Sequence, residues 1–102
     1  MTLGLTEDDL RYIRDTLARF PEVERAAVFG SRAKGTHKPG SDIDLAIWGE
    51  SVSFSVVAAL RAALQDEGPM PYLVDVVDRS HLEHHDLAGH IDRVGMEVYR
   101  RG

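Results

Sequence analysis

Two aspartates one residue apart, Asp42 and Asp44, follow a glycine-punctuated basic stretch that opens with Gly30-Ser31 and leaves ten residues between Ser31 and Asp42. Alternate side chains of a strand leave from the same face, so these carboxylates stand a few ångströms apart and repel unless a cation lies between them. Hard oxygen donors of this kind suit Mg²⁺, which takes a few carboxylates together with waters and substrate phosphates. Gly30 and Ser31 close an apolar run just before a predicted helical turn. Backbone N–H groups there can face an anion, and glycine lets it come close. A third carboxylate, Asp75, sits inside the run Tyr72-Leu73-Val74-Asp75-Val76-Val77-Asp78. Burial is expected in such a run, and a buried unpaired aspartate is costly, so it calls for a metal or a partner. The plainer alternative for Asp75 is a pairing with an arginine at a strand end, and Asp78 reads as a turn or cap residue before Ser80.

The elements that would position these groups follow from periodicity. Thr6 with Asp9 resembles a capping box, and Leu10, Ile13, Leu17 and Phe20 recur at helical spacing, which predicts a helix over 7–20 stopped by Pro21. Residues 23–29 read as a buried strand, 31–40 as a helical turn followed by a Pro39-Gly40 turn, and 41–48 as a strand with Ile43, Leu45 and Ile47 on one face. If the first two strands are antiparallel, Gly30-Ser31 and the Asp42/Asp44 pair meet at one edge of the sheet. Ser51 or Ser53 caps a second helix running to about residue 66, with Val56, Leu60 and Leu64 stacked four apart and Gly68-Pro69 ending it. A third strand covers 72–77. Ser80 and Glu83 form another capping box, opening a helix with Leu82, Leu87, Ile91 and Val94 as its apolar positions. Residues 96–100 alternate like a short strand, with continued helix as the rival. The layout predicts a small mixed sheet flanked by helices, an α/β (α+β) fold in one domain over 1–102.

Composition narrows the function classes. With 43% apolar and 28% charged residues the chain reads as an ordinary soluble domain, and without cysteine it has no disulfide, thiolate zinc site or cysteine nucleophile. That fits a reducing cytoplasm. The N-terminus lacks the basic and apolar stretches of a signal peptide, and the longest apolar stretch, 52–64, is too short to cross a bilayer. A net charge of −5 argues against a broad basic nucleic-acid face. His81, His84, His85 and His90 read as a solvated helix face, because the His-Glu-x-x-His zinc pattern is absent. His37 reads as facing water. Tyr12, Tyr72 and Trp48 are candidate interface residues.

The spacing Gly-Ser, ten residues, Asp-x-Asp at Gly30, Ser31, Asp42 and Asp44 resembles the minimal nucleotidyltransferase domains of the DNA polymerase β superfamily, including the antitoxins paired with HEPN ribonuclease toxins. The likeness extends to Arg32 after Gly-Ser, Ser41 before Asp-x-Asp and the later apolar strand bearing Asp75. It implies a polymerase-β-like fold, ATP as substrate, two Mg²⁺ ions and AMP transfer to a hydroxyl of a HEPN-type partner. Carried over by position, Gly30 and Ser31 would grip phosphates, Asp42 and Asp44 would hold both metals, and Asp75 would complete the catalytic metal site. Ser41 belongs with the nucleotide-binding set. Arg32 and Lys34, with Lys38 behind them, are expected phosphate or partner contacts, or else solvated charges. Two other functions remain compatible: an antitoxin that works by occupying its partner, and a catalytic subunit acting on a small molecule.

Overall fold

Antiparallel pairing of the two strands that carry the chemistry organises the molecule. The computed structural model describes residues 2–36, 40–66 and 72–101. Strand β1 (Arg25–Phe29) runs antiparallel to β2 (Ile43–Trp48) with Phe29 opposite Asp44, and β2 runs parallel to β3 (Val74–Asp78) with Asp44 opposite Asp75. Strand β4 (Met96–Arg100) adds antiparallel to the other side of β1, giving the order β3-β2-β1-β4. The sheet is therefore mixed, and residues 96–100 are strand rather than helix. Gly95 ends the preceding helix with extended backbone and leaves no room for a side chain against the Ile91 carbonyl.

Each face of the sheet has its own apolar layer. Ala26, Val28, Ile43, Leu45, Ile47, Val74, Val76 and Val98 point to one side, where helices α1 (Glu7–Ala18) and α3 (Phe54–Asp66) cover them with Ile13, Leu17, Leu60 and Leu64. Phe29, Ala46, Trp48 and Val77 point to the other, under helix α4 (His85–Val94), which contributes Leu87, Ile91 and Val94. The alternation read from 41–48 is thus realised on both faces. Ile43, Leu45 and Ile47 are fully buried in the first layer, and Asp44 shares the second face with Ala46 and Trp48.

Several boundaries differ from expectation, each for a local reason. The Thr6/Asp9 capping box forms in both directions, but α1 ends at Ala18 because Arg19 and Phe20 bond back to Thr16 and Leu17 over three residues, tightening the chain ahead of Pro21. Val23 belongs to the turn that follows, its N–H bonded to the Phe20 carbonyl, so β1 starts later than predicted. Ser53, not Ser51, accepts at the α3 start, from the Val56 N–H at 3.3 Å. Gly68-Pro69 lies outside the described residues. Strand β3 starts at Val74, since the Gln65 amide takes up both the Tyr72 carbonyl and the Val74 N–H. The Ser80/Glu83 box does not form. Ser80 Oγ accepts from the Gly49 N–H at 2.9 Å, residues Arg79–His81 make a 3₁₀ turn, and the His84 ring caps α4 through the Leu87 N–H. The basic tail is built in, with Arg101 donating to the Val23, Ala18 and Phe20 carbonyls.

No helix among the described residues is long and apolar enough to cross a membrane. Ile91 is the one fully buried residue of α4 and fastens that helix to the sheet. Ile91→Ala is expected to cost about 2–5 kcal/mol, the range for emptying a core site of this size. Urea denaturation measures it, and a loss below about 1 kcal/mol would mean that α4 is held by something other than this contact.

Candidate active site

The carboxylates meet in one row. Because Asp44 lies opposite Phe29 on one side and Asp75 on the other, the second face of the sheet carries Asp75, Asp44 and the Phe29 ring across three adjacent strands. Asp42 stands two residues before Asp44, exposed where the chain enters β2. Burial pushes the Asp44 carboxyl above the usual carboxylate range, the charges of Asp75 and Asp42 push it further, and His90 opposes them. The side chain at the centre of the row is thus the one whose ionised form the fold tolerates least.

Asp75 was expected to be buried and is not: 60% of its side chain is accessible, and its nearest cation, Arg61 of α3, lies 3.9 Å away. As the last strand on its side of the sheet, β3 leaves this position open between buried Val74 and Val76 on the opposite face. The arginine pairing is real but weak, worth at most about 1 kcal/mol at such exposure. Among the described residues no three acidic or imidazole groups already converge on a single point that would hold an ion. The donor chemistry nevertheless fits a hard divalent cation: of three neighbouring carboxylates one has its pKa raised, first by burial and then by the charges of the other two, and positive charge beside them would offset both.

Gly30 explains why the row can be so tight. Its φ of +77° with ψ of −150° is backbone that glycine adopts almost alone, and a Cβ there would collide with Asp44 Oδ2. The carboxylate occupies the space that a side chain would need. Ser31 then begins α2 (Ser31–Lys34), a single turn whose first N–H groups have no acceptor within the helix, closed by Gly35 in the left-handed region.

Arg32 departs most from expectation. It is 3% exposed, and among the described residues every hydrogen bond it makes goes to a main-chain carbonyl. Nη2 donates to Ser41 at 2.6 Å, Nε to Ser41 and Asp42 at 3.2 and 3.3 Å, and Nη1 to Leu3 and Gly4 at 2.9 and 3.3 Å. Its guanidinium lies 4.5 Å from the Tyr72 ring centroid. A side chain so enclosed, with all three of its nitrogens already donating to main-chain carbonyls, is not offered to a phosphate. It instead ties the Gly30-Ser31 turn to the entry of Asp42 and to the N-terminal 3₁₀ turn Thr2–Gly4, where Leu3 has an unfavourable positive φ of 65°. Lys34 is exposed at the end of the same turn, Ser41 is half-buried, and Lys38 and His37 lie outside the described residues.

The aromatic and histidine assignments also change. Tyr12 donates its hydroxyl to the Ala63 carbonyl and packs on the first core layer, Tyr72 lies under Arg32, and Trp48 is covered by Arg25 at 3.9 Å, so none is a bare interface residue. His81 pairs with Asp78 at 2.8 Å and His84 caps α4, while His85 is exposed. His90 turns inward, its ring edge-on to Phe29 with centroids 6.1 Å apart. Its position was readable. Three residues after Leu87 and four before Val94, it falls on the inward face of the helix.

Two measurements check this geometry. The raised pKa means that the folded chain holds the Asp44 proton more tightly than the unfolded chain, so stability from this group is full at acid pH and is lost as pH rises through the folded pKa. Asp44→Asn is therefore expected to raise the denaturation midpoint at pH 7 and to lose that advantage below the ordinary carboxylate range. An unchanged midpoint at pH 7 would mean that neither burial nor the neighbouring charges penalise the ionised Asp44. Arg32→Lys keeps the charge but abandons most of the fork, and is expected to destabilise by about 1–3 kcal/mol by leaving buried carbonyls unpaired. Stability equal to that of the unsubstituted chain would refute the bracing role.

Comparison with known proteins agrees with this arrangement. The family described as Polymerase beta, Nucleotidyltransferase matches residues 11–102. No curated protein sequence matches the chain. Among solved structures, a toxin–antitoxin with AMP-PNP is similar at TM-score 0.75 and 22% identity, over 90% of this chain and 73% of that one. The MntA–HepT toxin–antitoxin is similar at TM-score 0.72 and 18% identity, over 94% and 74%. A complex of a tri-AMPylated Shewanella oneidensis HEPN toxin with its MNT antitoxin is similar at TM-score 0.60 and 18% identity, over 90% and 73%. At these identities the structures establish the shared fold, while the family match covers most of the sequence: the chain belongs to the polymerase β nucleotidyltransferases.

Proposed function

We propose that this chain transfers AMP from ATP to a hydroxyl of a partner protein, in the cytoplasm, as the antitoxin of a HEPN-type toxin. The observation that carries the reading is the row Asp75–Asp44 with Asp42 beside it, closed on one side by a glycine turn with no room for a side chain. The similar structures supply the chemical context: one holds AMP-PNP, and another pairs an MNT antitoxin with an AMPylated HEPN toxin.

In this reading Gly30 and Ser31 present backbone N–H groups to the β- and γ-phosphates. Asp42, Asp44 and Asp75 would hold two Mg²⁺ ions, which when bound supply the positive charge for the triphosphate and the leaving pyrophosphate. Asp75, exposed beside Asp44, faces the incoming hydroxyl and takes its proton as the oxygen bonds to the α-phosphorus. The bond from the α-phosphorus to the bridging oxygen breaks, and pyrophosphate leaves with that electron pair. Arg61 gives up Asp75 at little cost, since an exposed pair at 3.9 Å contributes at most about 1 kcal/mol. Arg32 stays in place throughout, fixing the backbone that carries Ser41 and Asp42.

A second reading has its own observation. Phe54 is 87% exposed at the start of α3, beside a groove lined by Val57, Ala58 and Ala62, and Leu73 is 63% exposed. Surfaces of this kind serve a chain that neutralises a partner by occupying it.

Incubation of the chain with Mg²⁺, the toxin made beside it and ATP labelled on the α-phosphate separates the two. Label is expected on the toxin, and Asp42→Ala or Asp44→Ala is expected to lower its transfer about 100-fold or more. Neutralisation of the toxin that survives both substitutions, with no label transferred, would favour the binding module. Transfer to a small molecule without the toxin would overturn the protein acceptor.

A further inference from the structure

His90 is the one imidazole on α4 that faces the sheet, and the role of helix cap falls to another residue, His84. Its ring meets the edge of Phe29 at 80°, and Phe29 stands directly opposite Asp44, so the imidazole overhangs the carboxylate row. It is half-buried and, among the described residues, has no hydrogen-bond or ion-pair partner, and its ring nitrogens are not among the sealed, unpaired polar atoms, so they stay open to a ligand. Its influence on the Asp44 carboxyl is consistent with that nearness.

The side from which it overhangs is informative. In the order β3-β2-β1, Asp75 lies to one side of Asp44, while Phe29 and the Gly30-Ser31 turn that follows it lie to the other. His90 packs on Phe29 and thus stands on the side of the glycine turn, across Asp44 from the acid assigned to the acceptor. We infer that His90 is a substrate-contacting residue whose ring N–H donates to a phosphate oxygen of the bound nucleotide, from α4, opposite the backbone N–H groups of the glycine turn. An imidazole keeps at least one N–H in either protonation state, so the contact does not depend on the ring being charged. This inference rests on the nucleotide-transfer reading and adds to it a nucleotide contact that lies far from the Gly-Ser and Asp-x-Asp segment.

The test uses AMP-PNP with Mg²⁺ as a binding probe, so no turnover is needed. His90→Phe keeps a ring against Phe29 and removes the N–H, whereas His90→Gln restores a donor. The Kd is expected to rise about tenfold or more in His90→Phe, the loss of one hydrogen bond to a charged group, and to recover in His90→Gln to within a few-fold of the unsubstituted chain. In the transfer assay the KM for nucleotide is expected to move while the KM for the acceptor protein does not. Thermal melts of both variants establish that the fold is retained, and His85→Gln, on the exposed face of the same helix, is expected to change nothing. Unchanged AMP-PNP affinity in His90→Phe, or a change confined to the acceptor KM, would overturn the assignment while leaving the transferase reading standing. Failure of the unsubstituted chain to bind AMP-PNP would remove both.

Discussion

Asp44 stands where the fold least tolerates its charge, with Asp75 beside it on the parallel strand, Asp42 two residues before it and the Gly30 backbone close against its carboxylate. Among the described residues Arg61 lies beside the exposed Asp75 and Arg32 beside the Asp42 main chain, but neither is among the groups acting on the Asp44 carboxyl, where only His90 opposes the repulsion. A group crowded in this way favours any ligand that brings positive charge, because the repulsion released on binding adds to the affinity. The main features of the site follow from that crowding. Glycine is required at position 30, a strand must place Asp75 level with Asp44, and a brace must keep the entry of Asp42 from giving way.

Arg32 supplies the brace by an unusual route. A carboxylate partner would be the common way to bury a guanidinium, but here a carboxylate would add another negative charge next to three. Main-chain carbonyls satisfy the donors with no net charge, and the Tyr72 face accepts the rest. The positive charge stays beside Asp42 while Nε, Nη1 and Nη2 all donate to main-chain carbonyls. The same guanidinium ties the N-terminal turn at Leu3 and Gly4 to the Gly30-Ser31 segment, so a stretch far from the acidic row in sequence becomes part of its foundation.

How much of this was legible depended on whether one residue or a partner decided the outcome. The strand at 41–48, the turn after Gly30, the α1 capping box and the mixed sheet follow from local periodicity and turn chemistry, and the structure contains them. The meeting of the glycine turn with Asp44 was legible on the condition of antiparallel pairing, which is found. The burial of Arg32 is not legible, because a basic residue beside a glycine turn is the same letter whether its donors reach solvent or the carbonyls of distant segments, and those contacts exist only in the folded chain. Asp75 departs from the expected burial because a Val-rich run predicts a core on both faces, whereas β3 buries Val74 and Val76 on one face and leaves Asp75 on the other. An edge strand buries only one side, and the aspartate lies on the other. Ser80 met a nearer claim from the Gly49 N–H than from its own helix start. His90 was passed over in a run of histidines, although its offset from Leu87 and Val94 gave it to the inner face.

The division of labour between the two faces of the sheet follows from the same electrostatics. A cluster of like charges destabilises the folded state, so the stability must come from a layer that does not share its solvent and its motions. The first face provides that layer: long helices α1 and α3 bury Leu17, Leu60, Ile43, Leu45 and Ile47 completely. The second face carries only α4 and the smaller set around Phe29, Ala46 and Ile91, leaving room beside Asp44 and Asp75. Had both faces been packed alike, the carboxylates would have had no open side. Had neither been, the repulsion would have opened the sheet at β2. An acidic row at the thin side of an unequally covered sheet is thus the arrangement in which charge crowding can be kept, relieved only by ligand, without costing the fold its stability.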